Sequence, residues 1–479
     1  MSETAPESVT IPASRAGRRP PGAGRGGVRL TEGPVSKQIL KLSRYLMMGS
    51  LATMSFQVAD AYFVAQLGTK ELAALAFTFP MVMILHAIAI GLGSGVTSVV
   101  ARAVGEGDHH AARVLTTDSL TLSLAIALFF AVAGLSFMAD VFALMGAPAD
   151  VLVHINAYMN IWFYGMPLMI VPLIANAVIR AYGDAKSPSL IMGGAAVLNI
   201  FLDPIFIFGA WFVPGMGLKG AAIALLISRS VTFVLSLAML HYRVHALTYE
   251  WPSLTRSWDS WRKLMHIGLP ATGTQLIQPV SSAILTTLVA SYGATAVAAY
   301  GISTRIEMFS MIFIMSLSIA MAPFVGQNAG AGKVERVREA LHFSYKASIL
   351  YGLGVALLLL VAGRFLASEF SDEPAVITLA AFYLMTVPVS YGVLGVINTS
   401  SSALNSLAKP MPAMMIGTSK TLLVQIPCAY AGSIFFGING VFLGMALSTF
   451  IVAAMAFVLT RRALGELAPP VLAKPSPAE

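Results

Sequence analysis

Twelve stretches of this 479-residue chain are each long and apolar enough to cross a lipid bilayer as a helix, and that count constrains the fold more than any other feature. A hydrocarbon core of roughly 30 Å needs about 20 residues at a rise near 1.5 Å each. The stretches fall at 38–66, 71–101, 111–137, 150–180, 187–209, 217–242, 263–291, 295–325, 334–363, 374–404, 410–432 and 437–461. Only 11% of residues are charged and 57% are hydrophobic, whereas soluble domains run near about 25% charged. Most of the surface must therefore face lipid, and the chain is expected to be an all-α integral membrane protein.

The connecting loops test the count independently, because basic residues concentrate on the cytoplasmic side of a membrane protein. Taking alternate loops from the N-terminus, one side collects 23 of the 30 Lys and Arg. These include Arg102, Arg113, Arg180, Lys186, Lys333, Arg336, Arg338, Lys409, Arg461 and Arg462, whereas the other side holds Lys70, Lys219 and Arg364. One missed helix would mix the two classes. Both termini are thus expected in the cytoplasm. The net charge of +8 lies between spans rather than on one face, which argues against nucleic acid as a partner.

Residues 1–36 and 465–479 are rich in small and turn-forming residues and are expected to be disordered cytoplasmic tails. Between them the chain divides into an N-lobe of helices 1–6 (37–243), a cytoplasmic linker (244–262) and a C-lobe of helices 7–12 (263–464). The lone Cys428 has no partner for an internal disulfide.

The two lobes are copies of one unit. Shifting the sequence by about 225 residues places Leu67-Gly68-Thr69 on Tyr292-Gly293-Ala294, and Gly105, Gly107 and Arg113 on Gly330, Gly332 and Arg338. A slightly smaller shift places Asn176 on Asn398 and Pro188 on Pro410. Six helices per copy return the chain to the same side, so the copies are related by a pseudo-twofold axis along the membrane normal, with a solute path between them.

An ionisable residue at the bilayer centre costs about 2.5–3.5 kcal/mol on insertion scales, so each one in a span needs a partner, water or a task. The acids are Asp60, Asp118, Asp203 and Glu307, and the bases Arg229, Arg305, Lys346 and Lys420. Asp118 and Lys346 lie near span ends and are expected to snorkel to the interface. Arg305 and Glu307, two apart, do not face each other and are expected to pair with other helices. Asp60 and Asp203 lie deep, each with an amide at helical spacing, Gln57 and Asn199 respectively. Pro204 removes the helical donor to the Ile200 carbonyl. Together Asp60, Asn199, Asp203 and Gln57 make an oxygen-rich cation-coupling site suited to H+ or to Na+ as the metal ion. The repeat sets Asp60 on Leu285 and Asp203 on Gln425, so these acids belong to the first copy alone.

Asn199-Ile200-Phe201-Leu202-Asp203-Pro204-Ile205-Phe206-Ile207-Phe208-Gly209 resembles the helix 5 signature of MATE (multidrug and toxic compound extrusion) transporters. Ala59-Asp60-Ala61-Tyr62-Phe63-Val64-Ala65-Gln66-Leu67-Gly68 and Arg180-Ala181-Tyr182-Gly183-Asp184-Ala185-Lys186 carry the same resemblance. It covers residues 36–464 and implies a twelve-helix, two-lobed antiporter of the bacterial inner (plasma) membrane. Such a protein exports amphipathic, often cationic compounds in exchange for H+ or Na+. Asp60, Asn199 and Asp203 look like the N-lobe cation site of the DinF-like branch. The chain departs from the family pattern at Tyr45, where a proline is common, and in helices 7 and 10. There Gln275, Gln278 and Tyr391 stand in place of the acids of NorM-like members, so a C-lobe Na+ site is not expected.

An amphipathic substrate wants an apolar, aromatic pocket, for which Phe56, Trp162, Phe163, Tyr164, Met166 and Met169 are candidates. No cofactor is expected, and the protein is read as a monomer whose partners are small molecules and lipid. A lipid or lipid-linked oligosaccharide flippase of the same two-lobed plan is the closest rival, but it would line its cavity with bases. An intramembrane enzyme would need a metal motif or an activated nucleophile, and a receptor would need more soluble surface than these short loops provide. Gly326 to Lys333 has the look of a phosphate-binding loop, but five residues separate Gly326 from Gly332 and Val334 replaces the Ser or Thr.

Overall fold

The computed structural model describes residues 29–210, 213–248 and 254–466. Helix 1 is Val35–Ala65, helix 2 Thr69–Glu106 and helix 3 His109–Leu144. Helix 4 is broken into Ala149–Tyr164 and Met166–Ala181, bent by 49°. Helix 5 is Lys186–Phe208, and helix 6 runs from Leu218–Ala238 into a π-helical turn, Met239–Val244. In the second lobe helix 7 is Leu254–Ala290, helix 8 pairs Ala294–Ser310 with Ile312–Gly330, and helix 9 is Val334–Ser368. Helix 10 joins Pro374–Thr386 to Tyr391–Ser406 through a 3-10 turn, Val387–Ser390.

Helices 11 and 12 are joined by a tight turn. Pro410–Thr418 leads through a π-helical turn, Ser419–Leu423, into Gln425–Gly465, which folds back at Phe436 and Gly437. Gly437 has φ 59°, a left-handed conformation that costs glycine little. Twelve passages result, in two lobes of six. Among the described residues the strands are a single antiparallel pair, Gly209–Ala210 with Val213–Pro214, in the loop after helix 5.

Each lobe has its own apolar core. In the first, Ile155, Met159, Phe163, Ile174 and Val178 of helix 4 are fully enclosed by helices 2, 3 and 6. In the second, Tyr383, Leu384, Phe442 and Val441 play that part. The outward faces of helices 3, 9 and 12 carry exposed Phe129, Val132, Leu358, Val361, Phe450 and Ile451, as expected for side chains against lipid.

The lobes meet at the end that carries the basic loops. There helix 2 lies against helices 7 and 8 with almost no side chain between. A Cβ on Gly91 would strike Thr272, one on Gly95 the Leu264 carbonyl, and one on Gly105 the Gln327 carbonyl. Ser98 Oγ donates to Asn405 O at 2.7 Å, and Gln327 Nε2 donates to Ala181 O at 2.8 Å. Both bonds tie one lobe to the other.

Three expectations change at this end. Residues 1–28 of the expected tail lie outside the described residues, but 29–36 are ordered. Leu30 is 1% exposed, its N–H donates to Gln327 Oε1 at 3.0 Å, and its carbonyl accepts from Asn328 and Arg336. The apparent phosphate-loop stretch Gly326–Lys333 is thus a clamp for the chain entering helix 1. Residues 254–262 of the expected linker are the first turns of helix 7. Those turns explain why Asp118 does not snorkel: Ser257 Oγ donates to Asp118 Oδ1 at 3.0 Å and Trp261 Nε1 to Asp118 O at 2.9 Å, burying it to 1% exposure. Lys346 is exposed, as a snorkelling lysine should be.

Candidate functional site: the buried acids of the first lobe

Helix 5 packs along helix 1, so closely that a Cβ on Gly49 would press on Ser189. The polar face of helix 5 therefore turns inward. Asn199 is 2% exposed and Asp203 0%. They lie one turn apart, and Asn199 Nδ2 donates to Asp203 Oδ1 at 2.6 Å. The other two oxygens, Asn199 Oδ1 and Asp203 Oδ2, are buried with no hydrogen-bond partner. A buried polar atom left unpaired costs about 1–3 kcal/mol, and more when charged. Two such oxygens on one turn of helix offer acceptors to a cation. Helix 5 continues through Pro204 to Phe208, so the Ile200 carbonyl, lacking its helical donor, adds to the acceptors on this segment.

Asp60, half-buried on helix 1, is within electrostatic reach of Asp203. Two carboxylates that close repel each other when both are ionised, which favours a shared proton or metal cation. Tyr158 of helix 4, 8% exposed, lies within electrostatic reach of both acids and of Arg229 of helix 6. Tyr158 was legible only as one more aromatic in a span. Its role emerges because the first half of helix 4, packed against helices 2, 3 and 6, brings Tyr158 within electrostatic reach of the two acids. Gln57, placed with Asp60 by helical spacing, is exposed and bonds to none of these groups. Among the described residues no cluster of three or more His, Cys, Asp or Glu could hold a metal. The site is one of two acids and an amide, suited to a proton or a monovalent cation.

The substrate candidates do not gather on one surface. Trp162 and Met166 are 6% and 1% exposed and belong to the first lobe's core, with Phe163 edge-on to Trp162. Phe56 is buried, Met169 half-buried and Tyr164 72% exposed. Trp162, Phe163 and Tyr164 follow one another on one helical segment and so point to different faces, while Phe56 belongs to helix 1. In the second lobe Arg305 is exposed, while Glu307 accepts a hydrogen bond from Tyr383 Oη at 2.5 Å and lies within reach of the Lys420 charge.

The MatE family model matches the chain twice, over residues 46–205 and 270–431, once in each lobe. The chain belongs to the MATE family. A FAD transporter of Shewanella oneidensis is 34% identical over 90% of this chain and 96% of its own length. The probable multidrug resistance protein YoeA of Bacillus subtilis is 28% identical over 76% of this chain and 79% of its own. Among solved structures, the Vibrio cholerae MATE transporter VcmN in the bent form superposes with a TM-score of 0.85 at 30% identity, covering 90% of this chain and 98% of that one. A multidrug resistance MATE transporter described as outward-facing superposes with a TM-score of 0.86 at 26% identity, covering 92% and 98%. As a MATE protein the chain is a multi-pass membrane transporter of small molecules and not an enzyme. The double match of the MATE model also establishes the internal duplication.

Proposed function

We propose that this chain is a secondary active antiporter of the plasma membrane that exports small organic solutes in exchange for H+ or Na+ by alternating access between its lobes. The observation that carries this reading is the pair of unpartnered, buried oxygens on Asn199 and Asp203 beside Asp60. Ion occupancy of Asp60, Asn199 and Asp203 favours one arrangement of the lobes and solute the other, so each ligand works through its differential affinity for the two states. The restriction of these acids to the first lobe supports assignment to the DinF-like branch.

With the basic loops in the cytoplasm, both termini lie there too, and the lobe contacts at Gly91, Gly95, Gly105 and Gln327 close the cytoplasmic end. The structure is then the outward-facing member of the cycle, a reading supported by its likeness to an outward-facing relative. The chain acts as a monomer, each molecule holding a full ion site in its first lobe.

Amphipathic, often cationic drugs or toxins are the substrate class favoured by the acidic lobe and by relatives named for multidrug resistance. A second reading, a flavin nucleotide, is favoured by the relative at 34% identity. Purified protein in proteoliposomes distinguishes them: efflux of a cationic dye driven by an imposed pH or Na+ gradient supports the first, and gradient-driven flux of FAD with no dye movement supports the second. Flux of either compound that ignores both gradients would overturn antiport.

A further inference from the structure

Helices 8, 10 and 11 each lose regular geometry beside one cluster of charged and phenolic groups in the second lobe. Helix 8 breaks at Met311, whose N–H still reaches the Glu307 carbonyl at 3.0 Å. Helix 10 tightens at Val387–Ser390, between Tyr383 and Tyr391. Helix 11 widens into the π-helical turn Ser419–Leu423, which carries Lys420. Irregular turns of this kind inside membrane helices mark places where a side chain has been re-aimed.

The re-aimed groups answer those of the first lobe. By the repeat, Thr421 and Gln425 stand where Asn199 and Asp203 stand. With the Gln425 amide oxygen turned to the ammonium, Lys420 Nζ donates to Gln425 Oε1 at 3.2 Å and Gln425 Nε2 donates to Lys420 O at 3.1 Å. The residue at the Asp203 position thus already holds a positive charge, delivered by the neighbouring turn. The balancing acid comes from helix 8 rather than helix 7: Glu307 lies within electrostatic reach of Lys420 without ion-pair contact, and Tyr383 Oη donates to its Oε2 at 2.5 Å. Tyr391, 1% exposed, lies close by with its hydroxyl buried and unpaired. The second lobe therefore has an acid after all, although not at the repeat position of Asp60.

We infer that the Lys420 ammonium is a tethered cation, standing in the second lobe where the first lobe takes an exchangeable ion, with Glu307 as its fixed counter-charge. This rests on the first-lobe coupling reading above. The tethered side chain cannot diffuse away, so it blocks the second-lobe position to free ions and leaves ion exchange to the first lobe. Removing the ammonium uncovers a cation site made of Glu307, Gln425 and the Tyr383 and Tyr391 hydroxyls, which takes H+ or a monovalent metal cation.

The test uses purified full-length protein carrying Asp60→Asn and Asp203→Asn, in which the first-lobe site is neutralised. Melting temperature is followed in NaCl against choline chloride at constant ionic strength, and separately against pH. Adding Lys420→Met should add a stabilisation that grows with Na+ or with falling pH, and adding Glu307→Gln to that variant should abolish it. The result is read from the increment over the background, so residual ion dependence in the background counts against the first-lobe reading and not against this one. No increment in either arm, or an increment that survives Glu307→Gln, overturns the inference. If Lys420→Met fails to fold while the variant that also carries Glu307→Gln folds, the uncompensated Glu307 charge is the cause, as inferred. If both fail, Lys420 serves packing of helix 11 and the inference falls.

Discussion

Asn199 donates to one oxygen of Asp203 at 2.6 Å and leaves its own oxygen and the acid's second oxygen buried without partners. One turn of helix 5 thereby both fixes the carboxylate and offers two acceptors to an ion. Asn199→Ala removes the fixing bond. A hydrogen bond to a charged group contributes about 1.5–3 kcal/mol, so the concentration of coupling ion needed for half-maximal transport should change by about tenfold or more. Asn199→Asp, which adds a third acid, should restore ion binding but not wild-type ion dependence. Both are read from initial rates in proteoliposomes.

The closed end rests on two bonds that cross between lobes, Gln327 to Ala181 and Ser98 to Asn405. Gln327→Ala together with Ser98→Ala should shift the population toward an opened cytoplasmic end. Spin labels on Glu106→Cys and Glu339→Cys, with Cys428→Ser, would show this as a longer-distance component in pulsed dipolar measurements. A distance distribution unchanged from the wild type would count against the latch.

Helices 2 and 7 approach so closely at Gly91 that even one methyl group meets the Thr272 backbone. Gly91→Ala should therefore hold the lobes apart at this end and slow transport in both directions. Gly107→Ala serves as the control, since a Cβ there meets nothing within 4 Å, although its φ of 80° carries a backbone cost of about 1 kcal/mol.

Asp118 joins helix 3 to the start of helix 7 through Ser257 and Trp261. Asp118→Ala should destabilise the fold by about 1–3 kcal/mol, because the buried Ser257 hydroxyl loses its acceptor. Rates of ion-driven transport per folded molecule should stay near wild type, since Asp118 lies toward the basic-loop end of helix 3, whereas Asp60 and Asp203 lie toward the opposite ends of helices 1 and 5. A thermal melt and a flux assay on the same preparation separate the two effects.

The twelve helices, their loops and the duplication were legible because a bilayer imposes length and hydropathy on every span, and loop charge checks the count. Asn199 and Asp203 were legible for a similar reason: helical spacing alone places residues four apart on one face. What escaped were partners drawn from other helices. Asp118 was read as snorkelling because its depth is visible in sequence, whereas Ser257 and Trp261 reach it across about 140 residues. Glu307 and Lys420 could be joined only once the fold had brought helix 8 and the π-helical turn of helix 11 within electrostatic reach of each other. Trp162 and Tyr164, two apart on the same helical segment Ala149–Tyr164, diverge because residues two apart on a helix do not share a face, and hydropathy alone does not tell which of the two faces the core.

The central claim is that Asp60 and Asp203 couple solute movement to the ion gradient. Its most direct test is gradient-driven efflux by proteoliposomes carrying Asp60→Asn or Asp203→Asn, compared with solute equilibration in the absence of any gradient. The account predicts that each variant loses uphill, ion-driven transport while still binding solute. Ion-driven efflux at wild-type rates in both variants would contradict it.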